Sequence, residues 1–154
     1  MVPVKVRKLS PLAQLPRYMT HGSSGCDVCA LLEAPLEILP MERHAIPTGL
    51  AFEIPMGFEI QVRPRSGLSL KQGLTVVNAP GTVDSDYRGE LKILVVNLGQ
   101  EKVVINTGDR IAQLVIQKVE QIRWELAQDL SNTERAQGGF GSTGAGTPSP
   151  SSNA

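Results

Sequence analysis

The stretch that decides the reading is Leu74–Asn97, LTVVNAPGTVDSDYRGELKILVVN. Two runs rich in β-branched residues, Leu74–Asn78 and Leu91–Asn97, flank a centre of Pro, Gly, Asp and Ser. Branched side chains are stiff and pack well on a pleated surface, so both runs read as strands. The centre, with its Pro80-Gly81 pair, cannot continue either strand and reads as a turn. The whole is expected to form a hairpin whose connection, Asn78–Glu90, wraps its backbone around a flat ligand.

The same pattern extends in both directions. Strands are expected near Val4–Lys8, Cys26–Ala30, Leu36–Leu39, Arg43–Pro47, Leu50–Ile54 and Phe58–Pro64, and beyond the hairpin near Lys102–Ile105, Arg110–Val119 and Ile122–Glu125. Gly57 and Gly108 fall at turns. Only Ser66–Gln72 reads as a helical turn, with Ser66 placed to cap it. Many short strands at close spacing argue for an all-β sandwich or jelly roll. The 154 residues have room for one substantial core, and fifteen Gly with eleven Pro leave little for long helix. Aromatic residues make up only 4% of the chain, so that core must be Val, Ile and Leu.

Fifteen basic and fifteen acidic residues give a formal net charge of zero. Such a balance offers no whole-molecule field for a nucleic-acid duplex, so recognition of phosphate must be local and stable nucleic-acid binding is not expected. No apolar run reaches membrane-spanning length, and Met1–Ser10 has no signal-peptide core, which points to a cytoplasmic chain without membrane attachment. Cys26 and Cys29 form a C-x-x-C near His21, but positions three apart on a strand face opposite ways. Two reduced, buried thiols are expected there in preference to a metal or redox site. From Leu130 the composition turns Gly-rich and then Pro/Ser-rich, too poor in aliphatic side chains to offset the entropy of ordering.

Five segments carry chemistry unusual for a structural β domain. In Ser24–Val28 an aspartate, Asp27, interrupts an apolar strand and needs a cation, a donor or solvent. In Arg63–Leu68, Arg65 and Ser66 stand at a strand-to-helix junction, where a guanidinium, a hydroxyl and free N–H groups suit an anion. In Asn78–Glu90, Asn78 offers both a donor and an acceptor, Asp84 is a candidate general base, and Asp86 has the option of pairing with Arg88. In Gly108–Leu114, Gln113 puts an amide into an apolar strand. It must meet a ligand, a neighbouring subunit or the core itself. The fifth, Arg135–Gly144, contains G-x-G-x-x-G but lacks the strand and helix of a dinucleotide site. An arginine, an aromatic and a flexible backbone remain, which suit an arm closing over a nucleotide.

Taken in order, these five segments resemble the motifs of trimeric deoxyuridine triphosphatases, a match running from about Gly25 to Gly144. The resemblance implies a distorted jelly-roll β-barrel of the β-clip type with one short helix. It also implies a homotrimer with shared active sites, a Mg²⁺ cofactor and hydrolysis of dUTP to dUMP and pyrophosphate. The implied divisions are a catalytic domain over 1–130, a Gly-rich flexible C-terminal arm over 131–144 that closes over the site, and a disordered tail over 145–154.

Carried over by position, Asp84 activates water and Asn78 reads uracil. Tyr87 packs beneath deoxyribose and excludes a 2′-hydroxyl. Arg65, Ser66, Gly67 and Gln113 belong to the phosphate-binding motifs, and Lys92 joins the substrate contacts. Arg135 is a γ-phosphate ligand and Phe140 covers uracil, while Gly141, Ser142 and Thr143 complete the arm's contacts. Asp27 supports the Mg²⁺ environment indirectly, through water. Two departures stand out. Cys26 and Val28 occupy positions where the family usually has a bulkier residue and leucine, and Ala136 and Gln137 replace more typical small or acidic residues.

Two rivals remain at this point. A dCTP deaminase shares the fold and a similar Arg-Ser motif, but the Asp84–Tyr87 run and the arm with Arg135 and Phe140 argue against it. A non-catalytic relative would not need to retain every phosphate and water ligand.

Overall fold

The structure, a computed structural model, describes residues 1–140 and Ser142. By its internal contacts the chain divides into two units, Met1–Glu120 and Gln121–Ala154.

Among the described residues, the first unit holds all the regular elements. Strands β1 (Lys5–Lys8), β2 (Cys26–Cys29), β3 (Leu36–Ile38), β4 (Arg43–Pro47), β5 (Leu50–Glu53) and β6 (Phe58–Arg63) precede one helix, α1 (Ser66–Gln72). Strands β7 (Leu74–Val76), β8 (Gly81–Val83), β9 (Lys92–Asn97), β10 (Val103–Ile105) and β11 (Arg110–Lys118) follow it. They assemble into a four-stranded sheet ordered β2-β11-β6-β8, a three-stranded sheet β4-β9-β7, and the pairs β1-β5 and β10-β3. Every pairing is antiparallel. This is the all-β, jelly-roll-like body expected.

One apolar core joins the sheets. Val28 of β2, Ile46 of β4, Leu50 of β5, Ile60 and Val62 of β6, Ile93 and Val95 of β9, and Ile111 and Leu114 of β11 all belong to it. The two-residue period of a strand explains the choice. In β6, Ile60 and Val62 face in, while Glu59, Gln61 and Arg63 share the other face. There Gln61 donates to Glu59 at 2.7 Å and accepts from Arg63. Asn97 is the one fully buried amide of β9, and it is satisfied. Its Nδ2 donates to the carbonyls of Ile38 and Glu101, and its Oδ1 accepts from Gly99.

The secondary-structure reading departs from the structure in four places. The stretch Asn78–Glu90 is not a simple hairpin connection, because it contains β8, which pairs with β6 in the other sheet. β7 and β9 do pair antiparallel, so the chain leaves one sheet, adds three residues to the other and returns. The turn accordingly falls at Val77–Asn78, before Gly81 rather than at it. Ser66 does not cap α1. Arg65, extended at φ −93° and ψ 123°, holds the cap position, and its carbonyl accepts the N–H groups of Leu68 and Ser69. Ile122–Glu125, expected as a strand, is not one. Its alternating side chains have the right period, but a strand also needs a partner ladder.

Both cysteines are free thiols, and both are half-buried rather than buried. Burial pushes each above its ordinary pKa, with Arg110 pulling against that shift at Cys29. No helix among the described residues is long and apolar enough to cross a membrane.

Candidate active site

Two clusters emerge in the first unit, and they lie on different strands of the four-stranded sheet. The first is a pocket of about 490 Å³ between β8 and the start of β9, which brings Asn78, Asp84, Tyr87 and Lys92 together around Gly81 and Leu94. Val62 of β6 and Val83 of β8 form its apolar floor. Asp84 stands exposed just past the end of β8, and Lys92 is exposed at the start of β9. Tyr87 N–H donates to the Asp84 carbonyl at 3.2 Å, so one turn fixes carboxylate and ring together. The Tyr87 hydroxyl donates to the Glu90 carbonyl at 3.1 Å. Arg88 does not pair with Asp86. Its Nη1 donates to the carbonyls of Ser85 and Tyr87.

The second cluster forms where β2, β11 and the start of α1 meet. Asp27 Oδ2 accepts from Arg110 Nη1 at 3.0 Å and lies 3.4 Å from Arg65 Nε. The Asp27 side chain is only 13% exposed, so the sequence requirement that it find a donor is met by two guanidiniums. Arg65 is fixed a second time, its Nη1 donating to the Arg110 carbonyl at 2.7 Å. Gln113 sits opposite Asp27 on one side and Arg63 on the other. Its Nε2 donates one N–H to the Pro64 carbonyl at 3.0 Å, which fixes the amide within the chain. Ser66 and Gly67 are exposed in the first turn of α1.

Gly81 pairs with Val62, Val62 with Leu114, and Leu114 with Cys26, so β8 and β2 lie three strand spacings apart, roughly 14 Å. That spacing separates β2 from β8 alone, for Arg65 follows β6, the strand next to β8, whose Val62 lines the pocket.

The second unit is described by itself. Arg135 Nε donates to the Gly138 carbonyl at 2.9 Å, and Ser142 N–H donates to the Gly139 carbonyl at 3.0 Å. Phe140 is fully exposed. Gly141 and Thr143 lie outside the described residues, as does the tail over 145–154.

Two residues escaped the sequence reading. Arg110 was visible inside its motif, but only the β2–β11 register brings it to Asp27. Glu90 closes the quoted hairpin sequence and lines the pocket, yet nothing local distinguishes it from a solvated glutamate.

Among the described residues no group of three or more His, Cys, Asp or Glu side chains could hold a metal ion. Both arginine contacts of Asp27 fall on Oδ2. With Oδ1 outside both arginine contacts, Asp27 keeps one carboxylate oxygen for water or a cation.

In class, then, the molecule is an antiparallel, jelly-roll-like β protein with a polar pocket and a separate guanidinium cluster. The sequence pattern of the dUTPase family matches residues 12–144. A deoxyuridine 5'-triphosphate nucleotidohydrolase of Bdellovibrio bacteriovorus is 58% identical over 142 residues, covering 92% of this chain and 95% of the relative. One of the same name from Treponema denticola is 58% identical over 137 residues, covering 89% and 95%. Among solved structures, a mutant Staphylococcus bacteriophage 80alpha dUTPase with dUpNHpp superposes with a TM-score of 0.80 at 27% identity, covering 92% of this chain and 98% of that one. A mutant dUTPase from phage phi11 of S. aureus, described for its coordination of a structural Mg(II) ion, gives a TM-score of 0.73 at 25% identity, covering 82% and 97%. The chain belongs to the dUTPase family.

Proposed function

We propose that the chain is a dUTP diphosphatase, hydrolysing dUTP to dUMP and pyrophosphate as a Mg²⁺-dependent homotrimer. The observation that carries this reading is the pocket that gathers Asn78, Asp84 and Tyr87 at one opening, with an exposed carboxylate at its rim. Family membership supports the reaction.

In this reading uracil enters beside Asn78, whose amide supplies a donor and an acceptor. Tyr87 lies beneath deoxyribose and leaves no room for a 2′-hydroxyl. Cytosine presents a donor where uracil presents an acceptor, so fixed polar groups mismatch it. Arg65, Ser66, Gly67 and Gln113 take the phosphates, and Lys92 adds a positive charge near the pocket. Asp84 orients a water and accepts its proton as the oxygen attacks the α-phosphorus. The bond from the α-phosphorus to the bridging oxygen breaks, and pyrophosphate leaves. Mg²⁺, when bound, neutralises charge on the phosphates. Asp27 would support that ion's environment indirectly, through water.

The arm over 131–144, following a catalytic domain over 1–130, brings Arg135 to the γ-phosphate, Phe140 over the base, and Gly141, Ser142 and Thr143 to the phosphates. Family membership supports sites shared between subunits of a homotrimer. In a cytoplasmic setting the activity limits uracil incorporation into DNA and supplies dUMP for thymidylate synthesis. Net charge zero supports the absence of stable nucleic-acid binding.

The test is to incubate the protein and Mg²⁺ with dUTP, dCTP, dTTP or UTP and identify products by chromatography. Selective formation of dUMP and pyrophosphate is expected. Deamination of dCTP, or no turnover of any nucleotide, would overturn the reading.

A further inference from the structure

We propose that Glu90 is a positioning residue, a clamp that ties the loop carrying Asp84 and Tyr87 to the turn between β4 and β5 and so sets the sugar side of the pocket. The inference rests on the dUTP-hydrolysing reading above and deepens it.

The clamp is visible as a run of hydrogen bonds. Glu90 Oε1 accepts the Gly49 N–H at 2.9 Å, in a part-buried setting. Next to it, Thr48 Oγ1 donates to the Leu91 carbonyl at 2.7 Å, and Leu91 N–H donates to the Leu50 carbonyl at 2.8 Å. Thr48, Leu50 and Leu91 are all buried, so the loop's exit is anchored in the core. At its other end Glu90 offers its carbonyl to the Tyr87 hydroxyl at 3.1 Å, and Tyr87 N–H bonds the Asp84 carbonyl. One residue therefore stands between the rigid turn and the two groups that the chemistry needs aligned.

The turn itself cannot shift to compensate. Gly49 has φ +67°, and a Cβ there would lie 2.4 Å from Leu31 Cδ2 and 2.9 Å from Ala13 Cβ. Its carbonyl is held by Leu9 N–H at 2.8 Å. The Gly49 N–H is thus presented in one direction. A charged acceptor on it makes a stronger bond than a neutral one. Tyr87 has no comparable support of its own, being 46% exposed and bonded only within the loop. Without the Glu90 carboxylate, Leu91 stays anchored, but the segment from Ser85 to Glu90 gains freedom and the Tyr87 ring loses its fixed height. What suffers is discrimination against the 2′-hydroxyl, because a movable ring no longer makes a hard wall.

The experiment compares wild type, Glu90→Ala and Glu90→Gln by kcat/KM for dUTP and for UTP, and by amide hydrogen exchange at Gly49 and across residues 84–91. Glu90→Ala is expected to lower the dUTP-over-UTP ratio by roughly tenfold or more and to raise exchange at both places. Glu90→Gln keeps an oxygen acceptor and should recover most of both. A merely structural role would lower Tm and leave the ratio unchanged, the behaviour expected of Ile105→Ala in β10. An unchanged ratio and unchanged exchange in Glu90→Ala, or a Glu90→Gln as impaired as the alanine variant, would overturn the clamp. Should the wild-type chain fail to hydrolyse dUTP, the functional reading falls, and exchange at Gly49 still decides the clamp.

Discussion

Asp27 of β2 and Arg110 of β11, which stands opposite Cys29 two residues further along β2, form a 3.0 Å ion pair whose carboxylate also reaches Arg65. With the carboxylate 13% and the Arg110 side chain 43% exposed, the pair serves chiefly to hold Arg65 in one orientation.

The first prediction follows from that arrangement. Asp27→Asn removes the charge that holds both guanidiniums, leaving Arg65 tied only to the Arg110 carbonyl. Loss of a hydrogen bond to a charged group should lower kcat/KM for dUTP by roughly ten- to a hundredfold. Thermal denaturation should show a lower Tm as well. Steady-state kinetics with Mg²⁺ at saturation checks the first effect, and normal kinetics in this variant would mean that Arg65 orients itself.

Gly81→Ala tests the pocket floor. A Cβ there would lie 3.1 Å from Asn78 Nδ2 and 3.2 Å from Val62 Cβ, tighter than ordinary contact. Val62 belongs to the core and cannot give, so Asn78 is pushed out of register with a bound base. KM for dUTP should rise by about tenfold with a smaller change in kcat. A variant with wild-type KM would show that Asn78 does not read the base from its present position.

Stability should fall as pH rises through the thiol range. Burial raises the pKa of Cys26 and Cys29 in the folded chain, so as pH passes the ordinary thiol pKa the unfolded chain releases protons that the folded chain keeps. The unfolded state then binds fewer protons, and ΔG of unfolding declines with pH. Urea denaturation across that range should show the decline, and Cys26→Ala should flatten it. At the acid end Glu53 behaves oppositely. The hydrogen bond from Lys5 holds its carboxyl below the usual value, so the pair's small contribution is lost as pH falls through the folded pKa. Lys5→Met should return the Glu53 titration, followed by NMR, to the ordinary carboxylate range.

Chelation tests the role of Mg²⁺. If Mg²⁺ acts on the phosphates of the substrate, treatment with EDTA should abolish turnover of dUTP without lowering Tm. A marked loss of Tm would point to an ion held by the protein itself.

Much of the fold was legible because alternation in β6 and branched runs in β9 and β11 leave few alternatives to strand. β8 was not, because its first residue is glycine, which weakens strand propensity and here serves close approach to Val62. The cap of α1 was misread for a physical reason. A serine at that point suggests an N-cap, but Arg65, immobilised by Asp27 and the Arg110 carbonyl, already supplies the extended residue and the accepting carbonyl. Asp27's need for a donor could be read from its apolar neighbours, whereas the identity of the donors depends on register and could not. The same holds for Glu90, whose partner Gly49 lies across the fold.

The central claim is that Asp84 is the water-activating carboxylate of a dUTP-hydrolysing pocket, and its most direct test is Asp84→Asn. The substitution is nearly isosteric and falls on an exposed residue, so folding should be unaffected. Measured together, kcat should fall by roughly a hundred- to ten-thousandfold while the Kd for dUTP with Mg²⁺ stays near wild type. Turnover retained by the asparagine variant would contradict the account and move the catalytic base elsewhere.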